Sequence, residues 1–213
     1  MNPGTYLAAF LITLFSFNGL AQSKERIFYS SFSPQDWDIY LSKDSGKSFE
    51  KFTDHPWLDY DAVISPDGKW IVFTSERSGI PQLYIKPVDG DISPRLLVKS
   101  NSFQDQAAFS PDGTQMAFVA SHEGNSEIYI IPFLPDSLQD VSNAKNLTKN
   151  PGGDFRPAFS PDGKYIAFTD TDYNLWNLDL ASGKAILVAT DRLAHPNRTL
   201  HPVWSPDSKW IAY

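Results

Sequence analysis

From Ala62 onward, short apolar runs of three or four residues alternate with polar turns, and the same succession of runs keeps returning. Each copy is anchored on Ser-Pro-Asp: Ser65-Pro66-Asp67-Gly68, Ser110-Pro111-Asp112-Gly113, Ser160-Pro161-Asp162-Gly163 and Ser205-Pro206-Asp207-Ser208, at intervals of 45, 50 and 45 residues. An apolar run precedes each anchor, as in Ala62-Val63-Ile64, and a second follows it, as in Trp70-Ile71-Val72-Phe73. A third run (Leu83-Tyr84-Ile85, Ile128-Tyr129-Ile130, Leu175-Trp176-Asn177-Leu178) and a fourth (Arg95-Leu96-Leu97-Val98, Asn146-Leu147-Thr148, Ala185-Ile186-Leu187-Val188) complete the copy. Four short β-rich runs with turn signals between them and no helical period predict a four-stranded antiparallel unit. Such a sheet cannot bury both of its faces alone, so the copies must stack side by side. The predicted fold is all-β, a β-propeller of four-stranded antiparallel blades.

The anchor is a tight hairpin by its chemistry. Pro presets φ, Asp bonds the backbone ahead of it, and Gly accepts a positive φ. Ser208 stands where the other copies have Gly and is expected to carry strain. Five extra residues in the 110–160 copy fall in Leu134–Ala144, read as a longer connection between third and fourth strands. The expected blades are 59–98, 103–148 and 154–190. A partial blade, 24–53, is entered at its second strand, and another occupies 200–213. That arithmetic predicts an incomplete ring from a longer propeller.

Residues 1–21 carry no charged side chain, and Tyr6–Phe17 is mostly apolar. A dozen such residues are too few to span a bilayer, which takes about 20, but suit the apolar core of an export signal, with Gly19-Leu20-Ala21 as cleavage site. The product is expected to be soluble and monomeric, in the periplasm or secreted, with no membrane span after processing. With 18 Lys+Arg against 25 Asp+Glu the net charge is −7, which argues against a nucleic-acid partner. The absence of Cys removes disulfides, thiolate metal sites and cysteine nucleophiles.

The stretch Tyr60–Ile85, with Ser65-Pro66-Asp67-Gly68-Lys69, Phe73-Thr74-Ser75 and Leu83-Tyr84, resembles the propeller repeat of the TolB family. The resemblance covers residues 24–213. It implies a propeller acting as a protein-binding scaffold in the cell envelope, with a protein or peptide partner. The α/β domain that precedes the propeller in that family has no counterpart between the signal and the first blade.

Candidate chemistry is sparse. Ser42-Lys43-Asp44-Ser45-Gly46-Lys47-Ser48-Phe49 matches the Asp-box pattern, in which the Asp braces a turn and the aromatic packs inside. A prolyl-oligopeptidase-type enzyme, the main catalytic alternative, pairs a propeller with a Gly-x-Ser-x-Gly domain; no such pentapeptide occurs here. A carbohydrate-active propeller enzyme is the weaker alternative. His55, His122, His195 and His201 form no metal-binding spacing. No cofactor is implied, although the acidic run Asp54, Asp59, Asp61 could hold Ca²⁺.

The repeats supply the best probe of function. Residues that hold a blade together look alike in every copy, whereas residues facing a ligand should differ at the same place. Four residues before each turn serine stand Asp61, Gln106, Arg156 and His201, all polar and all different. They begin the innermost strand and are expected, with neighbouring Asp59, Asp105 and Asp154, to ring the mouth of the central channel.

Overall fold

The computed structural model describes residues 27–32, 37–190 and 201–213; the expected export segment, the Phe28 side chain and His195 lie outside them. Strands β1 (Ile27–Phe32), β2 (Trp37–Ser42) and β3 (Glu50–Lys51) form a three-stranded sheet. The second sheet contains β4 (Asp59–Ile64), β5 (Trp70–Ser75), β6 (Gln82–Pro87) and β7 (Arg95–Leu96), paired in chain order. After β8 (Val98–Lys99), the third consists of β9 (Gln104–Phe109), β10 (Gln115–Ala120), β11 (Glu127–Pro132) and, beyond β12 (Gln139–Asp140), β13 (Lys145–Asn146). The fourth is β14 (Asp154–Phe159), β15 (Tyr165–Asp170), β16 (Asn174–Asp179) and β17 (Ala185–Thr190); β18 (Val203–Trp204) pairs with β19 (Ile211–Ala212). Pairing within every one of these sheets is antiparallel. Among the described residues no helix is long and apolar enough to cross a membrane.

The alternation of a strand explains why the sheets stack. Successive side chains point to opposite faces, so a second strand that is apolar throughout must be covered twice. Ile71 and Phe73 pack with Ile39, Leu41 and Phe52 of the sheet before. Val72, between them, packs with Met116, Phe118 and Tyr129 of the sheet after. On β10, Ala117 turns the other way to meet Ile166 and Phe168. Each apolar cluster thus joins two neighbouring blades, and Phe73, Phe118 and Phe168 are wholly buried between them. The first strands β4, β9 and β14 contact one another in series, and β14 touches β18, the innermost position in a propeller.

Two expectations need correction. The fourth strand expected over Arg95–Val98 stops at Leu96, and Val98–Lys99 instead makes a parallel ladder with Gln139–Asp140. Leu97 lies at the switch, its N–H donating to Leu83 O (2.9 Å) and its carbonyl accepting from Gln139 N (3.1 Å). The extra segment 134–144 is the connection between third and fourth strands that the sequence predicts, and it does more. It crosses back to the preceding blade, where Val141 joins Leu97 and Val98 in the shared core. In the Asp-box, Asp44 Oδ1 accepts from Lys47 N (3.1 Å) and Ser48 N (2.8 Å), bracing the turn as expected. Phe49, however, is exposed and meets Tyr29 edge-on at 4.8 Å, because only the short strand β3 follows it.

The four anchor turns are built alike. Each serine hydroxyl donates to the turn aspartate at 2.6–2.7 Å and accepts the N–H five residues on at 3.0 Å. Gly68, Gly113 and Gly163 take φ of 70–72°, and Ser208 is forced to 59°, left-handed space that a side chain resists. Ser160 is fully buried, so Ser160→Ala leaves the Tyr165 N–H without its acceptor and removes one of the donors to Asp162. A loss of about 1–3 kcal/mol, read from denaturant midpoints, is expected; an unchanged midpoint would show the hydroxyl to be dispensable.

Candidate functional site

At the start of β4, β9 and β14 the ladder to the second strand slips by one residue. The slips fall at Asp61, Gln106 and Arg156, whose φ values are 48°, 54° and 58°. Each of these bulges lies opposite Phe73, Phe118 or Phe168. A non-glycine residue in left-handed space costs about 1–2 kcal/mol, and a bulge re-aims the side chain it carries. The recurrence identifies a requirement of the blade; the differing side chains are what one blade does not share with the next.

These re-aimed groups meet. Arg156 N–H donates to Gln106 Oε1 (2.8 Å), which ties one blade's bulge to that of its neighbour. Arg156 Nη1 lies against the ring nitrogens of His201, 2.8 Å from Nδ1. Asp105 Oδ1 accepts from Thr74 Oγ1 (2.6 Å) and from Gln106 N (2.7 Å). Asp61 reaches solvent, yet the protein packed around it raises its carboxyl, against the pull of Arg156 and of its hydrogen bond with Asp105. Burial pushes Asp105 up to about 6, and the Asp61 charge adds to the rise. Burial, then the Arg156 charge, hold His201 down at about 4, so its ring is neutral at neutral pH. The cluster thus combines a guanidinium, a neutral imidazole, an amide and a carboxyl pair, able to meet both signs of charge and neutral hydrogen-bonding groups.

Asp59 and Asp154, expected beside these residues, do not join this group. Both are fully buried at the first residue of their strands, in the place Gln104 fills in the blade between. Asp59 is held by Arg77 Nη2 at 3.1 and 2.9 Å. Asp154 Oδ2 accepts from Asn150 Nδ2 (2.7 Å). Burial pushes its carboxyl up to about 7, against the pull of Thr148 and Asn150, with Glu127 beside it adding to the rise.

The acidic run considered for Ca²⁺ is split three ways: Asp54 pairs with Lys51 at 2.8 Å, Asp59 with Arg77, and Asp61 lies with Arg156 and Asp105. Among the described residues no three His, Asp or Glu side chains converge to hold a metal ion. Sequence spacing missed Thr74 and Tyr60, cross-strand partners beside the carboxyl pair. Burial, then Asp105, Glu76 and Asp61, raise the Tyr60 phenol, which stays a neutral donor. Its signal was available only in the strand register, since Tyr60 adjoins Asp61 and faces Thr74.

A family profile described as the TolB beta propeller domain matches residues 94–213. The Tol-Pal system protein TolB of Bordetella pertussis is 42% identical over 53 residues, which is 24% of this chain and 12% of that protein. The crystal structure of TolB from Acinetobacter baumannii superposes with a TM-score of 0.73 at 26% identity, covering 88% of this chain and 45% of that one. A puromycin-hydrolyzing peptidase of Mycobacterium tuberculosis shares the fold alone: 17% identity, TM-score 0.59, 77% of this chain and 27% of that one. The chain therefore matches less than half the length of each of these proteins.

Proposed function

Because the chain belongs to the TolB beta propeller domain family, we propose that it is an exported scaffold that binds a protein partner of the cell envelope across the channel mouth. One observation carries this reading. The same strained bulge recurs in three blades and presents a different polar side chain each time, and the bulges are tied across blade boundaries, the Gln106 amide accepting from the Arg156 backbone N–H and the Arg156 guanidinium meeting His201. The matched relatives bearing the name Tol-Pal system protein support the envelope assignment. Residues 1–21 serve as the export signal in this reading, and N-terminal sequencing of the protein recovered from the periplasm should begin near Gln22.

The mouth is tested by placing a photo-crosslinking amino acid at Gln106 and, as a control, at the exposed Ile186, and identifying the adducts formed in cells. Adducts to one envelope protein from position 106 alone are expected, and they should fall about tenfold when Arg156→Ala removes a charge-assisted contact. Identical adducts from both positions, or a yield indifferent to Arg156→Ala in a protein that stays folded, would overturn the proposal.

A further inference from the structure

The blades answer one another position by position, and one of them lacks a part that another has. In the 59–96 blade the buried carboxylate Asp59 is neutralised from within: the hairpin of residues 76–81 carries Arg77 over it. The guanidinium also bonds Ser75 Oγ through Nε (2.8 Å) and lies 4.8 Å from the centre of the Tyr84 ring. The 154–190 blade repeats this arrangement up to the cation. Asp154 occupies the place of Asp59, Asp170 that of Ser75, and Trp176 that of Tyr84, each opposite the buried phenylalanine of its second strand. The hairpin, however, is only residues 171–173, three residues against six, and it carries no cation.

What the missing arginine leaves is a cleft of about 370 Å³, lined by Asn150, Asp154, Asp170, Asp172, Asn174 and Trp176 among others, none of its lining residues cationic. Asp154, wholly buried beside Thr148 and Glu127, keeps Oδ1 without a hydrogen bond of ordinary geometry. Asp170 is already saturated, accepting from Asn174 Nδ2 and Trp176 Nε1 at 2.8 Å each. The walls are set in advance. Asn125 of the preceding blade donates to the Gly152 carbonyl (2.7 Å), and Gly152 lies so near Thr171 that a Cβ there would be 2.7 Å from Oγ1. A buried, half-satisfied carboxylate beside an indole face and further acids is the environment a planar cation takes up best.

We propose that this cleft is a receptor for an arginine side chain of a partner polypeptide, which supplies from outside the guanidinium that Arg77 supplies in the 59–96 blade. The site is separate from the channel mouth. Both open at the end of the blades where first strands begin and second strands end, so one partner can engage both.

The probe is N-acetyl-arginine amide, titrated into the isotope-labelled full chain while the Trp176 indole N–H and the side-chain amides of Asn150 and Asn174 are followed by NMR. Saturable shifts confined to these reporters are expected. The neutral isostere N-acetyl-citrulline amide should give none, and N-acetyl-lysine amide should bind more weakly because it cannot stack flat on the ring. Asp154→Asn should weaken the response about tenfold or more by removing the charged acceptor. In a second variant the Glu76–Pro81 hairpin is grafted in place of residues 171–173. It fills the cleft in cis and should abolish the response while raising the melting temperature. No shift with the arginine probe, equal shifts with the citrulline or lysine probe, or a response that survives the graft would each overturn the proposal.

Discussion

Arg77→Ala is expected to destabilise the protein by about 3–5 kcal/mol, the loss that follows when one partner of a buried ion pair is removed. Asp59 is wholly buried, and the Arg77 side chain is only 13% exposed. Without the guanidinium, the carboxylate has neither water nor a counter-charge. The stacking over Tyr84 and the bond to Ser75 are lost as well. Denaturant unfolding measures the effect. The cause is isolated by the double variant Asp59→Asn/Arg77→Ala, which removes the stranded charge and should recover most of the loss. A single variant within about 0.5 kcal/mol of wild type, the range of ordinary surface substitutions, would show that the pair does not hold the blade together. Arg77→Lys should recover only part, since an ammonium cannot reproduce the flat stack and the forked contacts.

Asp154→Asn is expected to act in the opposite direction and to depend on pH. Burial, with Glu127 beside it, pushes the folded carboxyl up to about 7 from an ordinary value of 3.8, so between those values the folded protein holds a proton that the unfolded chain has released. Stability from this group is therefore complete below about pH 4 and is lost as pH rises through 7. The variant removes that loss, and its introduced amide can still accept from Asn150. Wild type and variant should be closest near pH 4, diverge up to about pH 7, and stay apart above it. There the variant is more stable by up to about 4 kcal/mol, since every tenfold change in proton affinity between the folded and unfolded chain corresponds to about 1.4 kcal/mol. Urea unfolding across pH 4–8 reads it directly. Parallel curves for the two proteins would mean that Asp154 titrates as an ordinary carboxyl.

These two substitutions concern the same structural place in two blades, and together they separate what a propeller needs from what this one does with it. The blade tolerates a buried acid at the head of the first strand when a cation covers it, as at Asp59, and a neutral amide there too, as at Gln104. Asp154 has neither, and its burial lowers stability. Such local costs mark functional sites more often than structural ones. The bulges at Asp61, Gln106 and Arg156 carry a different cost, met in each of their three blades, and the likeness of their backbones leaves the variety of their side chains as the informative part.

The sequence by itself determined the blade. The Ser-Pro-Asp spacing, the apolar second strand and the repeated aromatic positions are local patterns of period two and of turn chemistry, and the sheets and anchor turns follow them closely. It also put Asp61, Gln106, Arg156 and His201 at one structural place, because equivalent positions can be counted from each turn serine. Only the tertiary structure decided the rest, since it depends on which atoms meet across blades. Counting separates Asp105, five residues before its turn serine, from Asp59 and Asp154, six before theirs, but only the contacts show that Asp105 meets Thr74 and Gln106 while Asp59 is covered by Arg77 and Asp154 by no cation. Nothing local shows that 134–144 reaches back to Val98, or that Phe49 meets Tyr29 at the surface. That Asp154 lacks a counterpart of Arg77 is visible only when two blades are compared in space, where three residues missing from a hairpin become a cleft beside a buried charge.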